Sequence, residues 1–184
     1  MDALVMCGGR GTRLDAAGEK PLVEVGGVPM IDRVRDALAA SRVETVHCVV
    51  SSHAPATRDH LESMGASVID GSGDGYVADL DTGLAAVERP VLTVAADLPL
   101  LAAEPVNRVL DRAEGSLAVM VPVALKRRLG VSVDTTVEHE GKRLTPTGVN
   151  VVAGTDDDIY VSDDRRLAVN VNHDADRQVA EALA

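Results

Sequence analysis

The sequence predicts an α/β fold: a single Rossmann-like domain over residues 1–184, with three α/β/α layers and a mostly parallel sheet. Short apolar runs of strand length alternate with segments whose apolar residues recur at helical spacing, and short links join them. The run over residues 3–7 is apolar at every position, which is typical of a strand buried on both faces. After residue 122 polar turns separate shorter runs, which predicts antiparallel additions to the sheet near the C-terminus.

The predicted elements follow one another in a regular order. Buried strands are predicted at residues 3–7, 46–50, 66–69, 91–96 and 117–121. Helices are predicted between them, at residues 29–40, 55–64, 76–87 and 104–113. The third of these helices would carry an apolar stripe of Val77, Leu80, Leu84 and Val87. Beyond residue 122 we expect strand-like segments at residues 131–137, 149–152 and 167–171, a turn at residues 140–141, a solvated turn at residues 156–158 and a final helix that ends at Leu183.

The composition limits the partners and the compartment. The chain has 29 acidic and 18 basic residues, a formal net charge of −11, so we expect neither nucleic acid nor an anionic membrane as a partner. No apolar run approaches the ~20 residues of a membrane span, and the first residues begin a strand rather than an export signal, so we expect a cytoplasmic protein. In that reducing compartment Cys7 and Cys48 are expected as buried thiols, and no cysteine spacing predicts a zinc site.

A glycine-rich turn with clustered cations follows the first strand. Its three glycines lie within residues 8–13, and without a Cβ atom they let the backbone bring several N–H groups to one anion. Arg10, Arg13 and Lys20 place three positive charges around this turn. The spacing excludes a P-loop, because no Lys-Ser or Lys-Thr pair follows the turn. It also excludes the dinucleotide fingerprint Gly-x-Gly-x-x-Gly, because the glycines are spaced Gly-Gly-x-Gly. The sequence therefore predicts a phosphate-binding site here.

Further polar groups follow other predicted strands: a second glycine-rich loop at residues 71–76, Asp97 and residues 170–174. In open α/β sheets ligands bind beyond the carboxyl ends of the strands, so we expect these groups to converge with the glycine-rich turn on one rim. Asp97 suits Mg²⁺, although a turn or N-cap aspartate would fit the same position. The amide oxygen of Asn172 is an acceptable ligand, but this residue could equally cap the last helix, and whether Asn170 or Asn172 faces a metal stays open. Asp79 could assist the metal or face solvent.

Two motifs in the first 22 residues carry a resemblance to a known family. Residues 8–14 read Gly-Gly-Arg-Gly-Thr-Arg-Leu, and residues 19–22 read Glu-Lys-Pro-Leu. Together they resemble the signature of the nucleotidyltransferases with a sugar-nucleotide-transferase fold. The resemblance implies that a phosphate oxygen of an acceptor attacks the α-phosphorus of a nucleoside triphosphate, with pyrophosphate as the leaving group. It also implies Mg²⁺ as the cofactor, with Mn²⁺ as an alternative.

The same resemblance implies roles for individual residues. Catalytic charge stabilisation is expected from Arg13, Lys20 and Asp97, and metal ligation from Asp97 and Asn172. Contacts with the nucleotide are expected from the first strand, both glycine-rich loops, Lys20 and the start of the third helix: Leu4, Met6, Gly8, Gly9, Arg10, Gly11, Thr12, Arg13, Lys20, Gly73, Gly75, Tyr76 and Asp79.

Taken along its length, the chain resembles the archaeal guanylyltransferases that act on adenosylcobinamide phosphate in cobamide synthesis. Residues 72–76, 148–152 and 170–172 carry this narrower resemblance, which implies GTP as the donor and a corrinoid phosphate as the acceptor. Molybdenum-cofactor guanylyltransferases are the first alternative, but they usually carry Gly-Pro-Leu-Ala-Gly where residues 75–79 read Gly-Tyr-Val-Ala-Asp. A sugar-1-phosphate transferase is a weaker alternative, and a catalytically silent GTP-binding regulator stays open. So does the oligomeric state, including a homodimer.

The acidic composition generates a first testable prediction. Aspartate dominates the charged residues and arginine far outnumbers lysine, a balance that resembles the proteins of salt-loving archaea. Because the unscreened negative charges repel one another, dialysis into low salt should loosen the fold and lower the melting temperature. Thermal melts over a series of salt concentrations check this, and a melting temperature that does not fall as salt is removed would contradict it.

Overall fold

The computed structural model describes residues 1–8, 18–154 and 157–184, and at residue 157 the backbone alone. Over these ranges the chain forms ten strands: β1 (Ala3–Met6), β2 (Glu24–Val25), β3 (Val28–Pro29), β4 (Val46–Val50), β5 (Ser67–Asp70), β6 (Val91–Ala95), β7 (Ser116–Pro122), β8 (Val137–His139), β9 (Lys142–Val152) and β10 (Asp157–Val161).

Six α-helices accompany the strands in the same described ranges: α1 (Met30–Ala39), α2 (Pro55–Ser63), α3 (Tyr76–Ala86), α4 (Ala103–Arg112), α5 (Val123–Leu129) and α6 (Asp174–Leu183). Two short 3₁₀ turns lie at Lys20–Leu22 and Arg165–Leu167. None of the helices in this part of the chain is both long enough and apolar enough to cross a membrane.

One large sheet organises the molecule, with strand order β10-β7-β9-β6-β1-β4-β5 and β8 paired to β9. β1 lies between β4 and β6 and is parallel to both, while β5 extends the parallel part beyond β4. β9 is antiparallel to β6 and to β7, and β8 and β9 form an antiparallel hairpin around residues 140–141. The predicted α/β fold, mostly parallel with antiparallel additions near the C-terminus, is confirmed.

Both faces of the central strand β1 are buried, which explains its uninterrupted apolar sequence. Ala3 and Val5 belong to a large cluster that also contains apolar residues of α1, α2 and α4. Leu4 and Met6 alternate with them and pack on the opposite face with residues of α3. The sheet therefore lies between two helical layers. Val77, placed by the sequence analysis on the apolar stripe of this helix, is instead 69% exposed because it lies in the first turn of α3, at the rim of the sheet.

The two cysteines lie in the sheet layer. Cys7 and Cys48 are both buried, and neither forms a disulfide. Both belong to the same large hydrophobic cluster. The expectation of buried thiols is confirmed.

Three predictions for the C-terminal third are wrong. Residues 131–136 contain no strand, and the strand that follows is the short β8, while α5 is a helix that the pattern did not predict. A solvated turn was expected at residues 156–158; residue 156 lies outside the described ranges, and residues 157–158 begin β10, which pairs in parallel with β7. At residues 167–171 the chain forms a 3₁₀ turn and irregular backbone, because Val171 donates its N–H to the carbonyl of Asp97 instead of joining a strand.

Asp176 fixes the start of α6. Its carboxylate accepts the N–H groups of Asn172 and His173 and both the N–H and the hydroxyl of Ser132, at 2.7–3.0 Å. His173 is the N-cap residue, so the alternative that Asn172 caps this helix is wrong. Burial opposes ionisation of Asp176, but these hydrogen bonds outweigh it and lower the pKa of the carboxyl. The side chain thus ties α6 to the segment before β8.

Asp176→Asn should destabilise the protein in a pH-dependent manner. At pH 7 we expect a loss of about 1–3 kcal/mol in unfolding free energy, because the amide presents N–H groups to buried donors. The pKa of Asp176 is lowered in the folded state, so its stabilisation is present above the unfolded pKa of about 3.9 and is lost as pH falls through the folded value. The difference between variant and wild type should therefore shrink at acid pH.

Urea unfolding at pH 7 and pH 3 measures this difference. Asp174→Asn is the matched control, because Asp174 is exposed in the same helical turn. An equal deficit for Asp176→Asn at both pH values would contradict the assignment.

Candidate active site

An ammonium group joins three segments at the rim of the sheet. The Nζ of Lys20 donates to Oδ2 of Asp97 at 2.6 Å and to Oδ1 of Asn172 at 2.7 Å. Asp97 follows β6, and Asn172 precedes α6, so the three side chains come from distant parts of the sequence. Asp97 and residues 170–174 were predicted to converge on one rim, and in the structure Lys20 joins Asp97 to Asn172 there.

Neighbours of Lys20 in the Glu-Lys-Pro-Leu motif hold it in place. The carboxylate of Glu19 accepts the N–H groups of Ala56 and Thr57, at 2.9 and 2.6 Å, in the first turn of α2. A carboxylate is stabilised there by the free N–H groups and the positive end of the helix dipole. Pro21 is buried in the 3₁₀ turn. The sequence analysis assigned no role to Glu19, because its partner helix begins 36 residues later in the chain.

The other oxygen of Asp97 is also bonded. Asn170 donates its Nδ2 to Oδ1 of Asp97 at 3.0 Å and to the carbonyl of Thr147 at 2.8 Å, and its Oδ1 accepts from Nζ of Lys126 at 2.9 Å. Lys126 is only 3% exposed, and burial lowers the pKa of its ammonium, against the opposing charges of Asp97 and Asp176. Lys126 was missed because lysines are usually solvated and because the helix that carries it, α5, was not predicted. Its rarity, as one of three lysines, was the available signal.

Asp79 holds the second glycine-rich loop against the first. It is 2% exposed, and its Oδ1 accepts the N–H of Gly73 at 2.8 Å and the hydroxyl of Ser72 at 3.2 Å. A Cβ atom on Gly8 or Gly71 would lie 2.8 or 2.7 Å from this carboxylate, so both positions need glycine for the close approach. Of the two alternatives for Asp79, exposure to solvent is wrong.

Three cavities meet at Gly8 and Tyr76. The first, of about 130 Å³, also contacts Met6, Lys20 and Asp97. The second, of about 230 Å³, is lined on its other sides by the second glycine-rich loop and the end of β4: Ser51, His53, Ala54, Gly73, Gly75 and Asp79. The third, of about 680 Å³, extends toward α5, β9 and the last segment: Lys126, Asp134, Thr135, Thr145, Pro146, Asn170 and Asn172.

Tyr76 stands between these cavities and is 45% exposed. Partial burial and the nearby charge of Asp97 raise the pKa of its phenol, so it is neutral at physiological pH. The remaining predicted residues are placed differently. Leu4 is completely buried against α3, and its role as a nucleotide contact stays a prediction. Five predicted residues lie outside the described ranges: Gly9, Arg10, Gly11, Thr12 and Arg13.

The oxygen atoms at this rim fit a hard divalent cation. Oδ2 of Asp97 and Oδ1 of Asn172 already converge on one positive charge, and carboxylate and amide oxygens are the ligands that Mg²⁺ prefers. Asn170 presents its NH₂ group to Asp97, whereas the oxygen of Asn172 faces the ammonium of Lys20, whose place is called the cation position below. Among the described residues no three His, Cys, Asp or Glu side chains form a metal-binding group, so the remaining ligands would be phosphate and water oxygens.

Comparison with known proteins identifies the family of the chain. Residues 3–133 match the family described as the MobA-like NTP transferase domain. The adenosylcobinamide-phosphate guanylyltransferase of Methanocaldococcus jannaschii is 33% identical, over all of this chain and 97% of that protein. A protein of Natronomonas pharaonis named as a molybdenum cofactor guanylyltransferase is 33% identical over 60% of this chain and 56% of its own length.

A solved structure supports the fold. The nucleotidyl transferase of Methanothermobacter thermautotrophicus superposes with a TM-score of 0.69, covering 96% of this chain and 94% of the other, at 18% identity. The family resemblance of the two opening motifs is thereby confirmed: the chain is a nucleotidyltransferase that belongs to the MobA-like NTP transferase family.

Proposed function

We propose that this protein transfers GMP from GTP to adenosylcobinamide phosphate, which yields adenosylcobinamide-GDP and pyrophosphate in cobamide biosynthesis. The observation that carries the proposal is the 33% identity to the adenosylcobinamide-phosphate guanylyltransferase of M. jannaschii over the whole of this chain. The match to the molybdenum cofactor guanylyltransferase relative is partial in both chains, which makes that activity the second candidate.

The reaction needs charge stabilisation more than covalent chemistry. A phosphate oxygen of the corrinoid attacks the α-phosphorus of GTP, and the bond from that phosphorus to the oxygen bridging toward the β-phosphate breaks. Lys20 lines the first cavity beside Asp97, and it would neutralise the α-phosphate or the acceptor phosphate. The N–H groups of the glycine-rich turn and Arg13 would stabilise the departing pyrophosphate.

Mg²⁺ would be held by Oδ2 of Asp97, Oδ1 of Asn172 and phosphate oxygens, with Mn²⁺ as an alternative. When bound, it would neutralise negative charge on the reacting phosphates. Lys20 now bonds both oxygens, and its flexible side chain would turn toward a phosphate when the metal and the nucleotide enter. The same oxygens of Asp97 and Asn172 would thus bind the Lys20 ammonium before the nucleotide enters and Mg²⁺ afterwards.

The purine would bind in the cavity of the second glycine-rich loop. Backbone groups of Gly73 and Gly75 border this cavity, and Tyr76 separates it from Lys20 and Asp97. Met6 lines the first cavity, where the phosphates would lie. This arrangement would place the α-phosphate beside Lys20 and Asp97.

The cytoplasm, where GTP is made and used, is the proposed compartment, and the buried free thiols of Cys7 and Cys48 suit its reducing conditions. A salt-rich cytoplasm would match the net charge of −11.

Lys20→Ala and Asp97→Ala should each lower the rate of guanylyl transfer by ~10²–10⁴-fold, the scale of losing one charge-stabilising group. Steady-state kinetics with GTP and adenosylcobinamide phosphate at saturating Mg²⁺ measure the loss. Lys142→Ala is the matched control, because Lys142 is an exposed lysine of β9 outside the cavities described above. Undiminished turnover in Asp97→Ala would remove the metal assignment.

A panel of acceptors tests the proposed function itself. Pyrophosphate release from GTP should occur with adenosylcobinamide phosphate and be at least about tenfold slower, in kcat/KM, with molybdopterin or sugar 1-phosphates. Faster release with molybdopterin would favour the second candidate. GTP binding without release for any acceptor would show a regulator instead of an enzyme.

A further inference from the structure

Lys126 is a buried charge that the reaction described above does not use. Its side chain lies in α5 and is 3% exposed, and its Nζ donates to Oδ1 of Asn170 at 2.9 Å. A lysine is rarely buried unless a partner compensates for the lost hydration. Opposing charges of Asp97, Asp176 and Asp134 act on it. We therefore expect the buried Lys126 to have a specific role in the hydrogen-bond network around Asn170.

The hydrogen-bond partners of the Asn170 amide determine which way its oxygen and nitrogen face. Its Nδ2 faces the carbonyl of Thr147 at 2.8 Å, and a carbonyl oxygen only accepts hydrogen bonds. The same Nδ2 donates to Oδ1 of Asp97. The oxygen of Asn170 must then point to Lys126, because a charged ammonium group can donate hydrogen bonds but cannot accept them. Asn170 is 7% exposed, so its oxygen has little access to solvent in place of Lys126.

We propose that Lys126 is a positioning residue that acts through Asn170 on Asp97 and thereby fixes which carboxylate oxygen faces the cation position. The hydrogen bond from Asn170 occupies Oδ1 of Asp97 and leaves Oδ2 for Lys20 or the metal. The kinetic part of this inference rests on the proposed function, whereas the hydrogen-bonded relay itself does not.

Removal of Lys126 has a defined structural consequence. The oxygen of Asn170 becomes a buried acceptor without its partner, so the amide gains from rotating toward the large cavity that both residues line. Asp97 then loses the bond to its Oδ1, and its carboxylate can turn about the Cβ–Cγ bond. The cation position would lose its fixed ligand while the fold around it persists.

A double-mutant cycle separates this relay from direct contact of Lys126 with substrate. Lys126→Met should lower kcat by ~10–100-fold, the range for losing a group that orients a metal ligand. In an Asn170→Leu background the same substitution should change kcat by less than about twofold, because the relay is already broken. Lys142→Met is the control for removal of a lysine charge, and it should leave kcat unchanged.

A spectroscopic measurement tests the relay without catalysis. The side-chain NH₂ signals of Asn170 in a ¹H–¹⁵N spectrum are assigned by their absence from Asn170→Leu. In the wild-type protein these protons should be protected from exchange with water, and in folded Lys126→Met the protection should fall by at least about tenfold. Thermal melts verify that each variant is folded.

Several results would overturn the inference. These are unchanged kcat in Lys126→Met, an equal loss in both backgrounds together with a raised acceptor KM, or unprotected Asn170 protons in the wild type. The second result would place Lys126 against the acceptor phosphate. If the wild-type enzyme transfers no GMP at all, the proposed function fails, and the exchange measurement still decides the relay.

Discussion

The bond pair from the Lys20 ammonium to Asp97 and Asn172 is the interaction on which the arrangement of the site depends. Without a shared cation, the carboxylate oxygen and the amide oxygen that converge there would repel each other. The ammonium thus joins the motif after β1, the end of β6 and the segment before α6. Each contributor is held a second time: Glu19 fixes the Lys20 segment on α2, Val171 donates its N–H to the carbonyl of Asp97, and Asp176 accepts the N–H of Asn172.

Close backbone approach is the second constraint on this rim, and glycine provides it. Gly8 and Gly71 bring two loops within reach of the Asp79 carboxylate, where any Cβ atom would collide. Gly148, in β9, allows an equally close approach to Ala95 of β6. Its φ of +82° is in the left-handed region, and a Cβ atom there would lie 2.8 Å from that of Ala95. The carbonyl next to it, that of Thr147, is the one that orients Asn170. The glycines therefore set the distances at which the polar groups can meet.

The parallel half of the fold was predictable because burial on both faces leaves a strong local pattern. Strand β4 and the helices from α1 to α4 lie within one or two residues of their expected bounds, and Lys20 and Asp97 were found from motifs within a few residues. The errors come from partners distant in sequence. Glu19 and Lys126 reveal their roles only through α2 and Asn170, which local spacing cannot encode. Residues 167–171 resemble a strand in sequence because four of the five are apolar and buried, yet the polar residue among them, Asn170, bonds to Asp97 and Lys126.

The distribution of charge connects the acidic composition with an anionic substrate. A protein of net charge −11 repels a triphosphate at long range, whereas in the proposed function Lys20 would attract it at the rim. Salt shortens the range of both effects, with a Debye length of about 10 Å at 0.1 M and about 3 Å at 1 M. Concentrated salt therefore weakens the surface repulsion, whereas a charge contact at the partly buried rim, such as that of Lys20 with Asp97 at 2.6 Å, is screened much less. An acidic surface and a cationic group such as Lys20 at the rim are compatible in one small protein because their interactions operate over different distances.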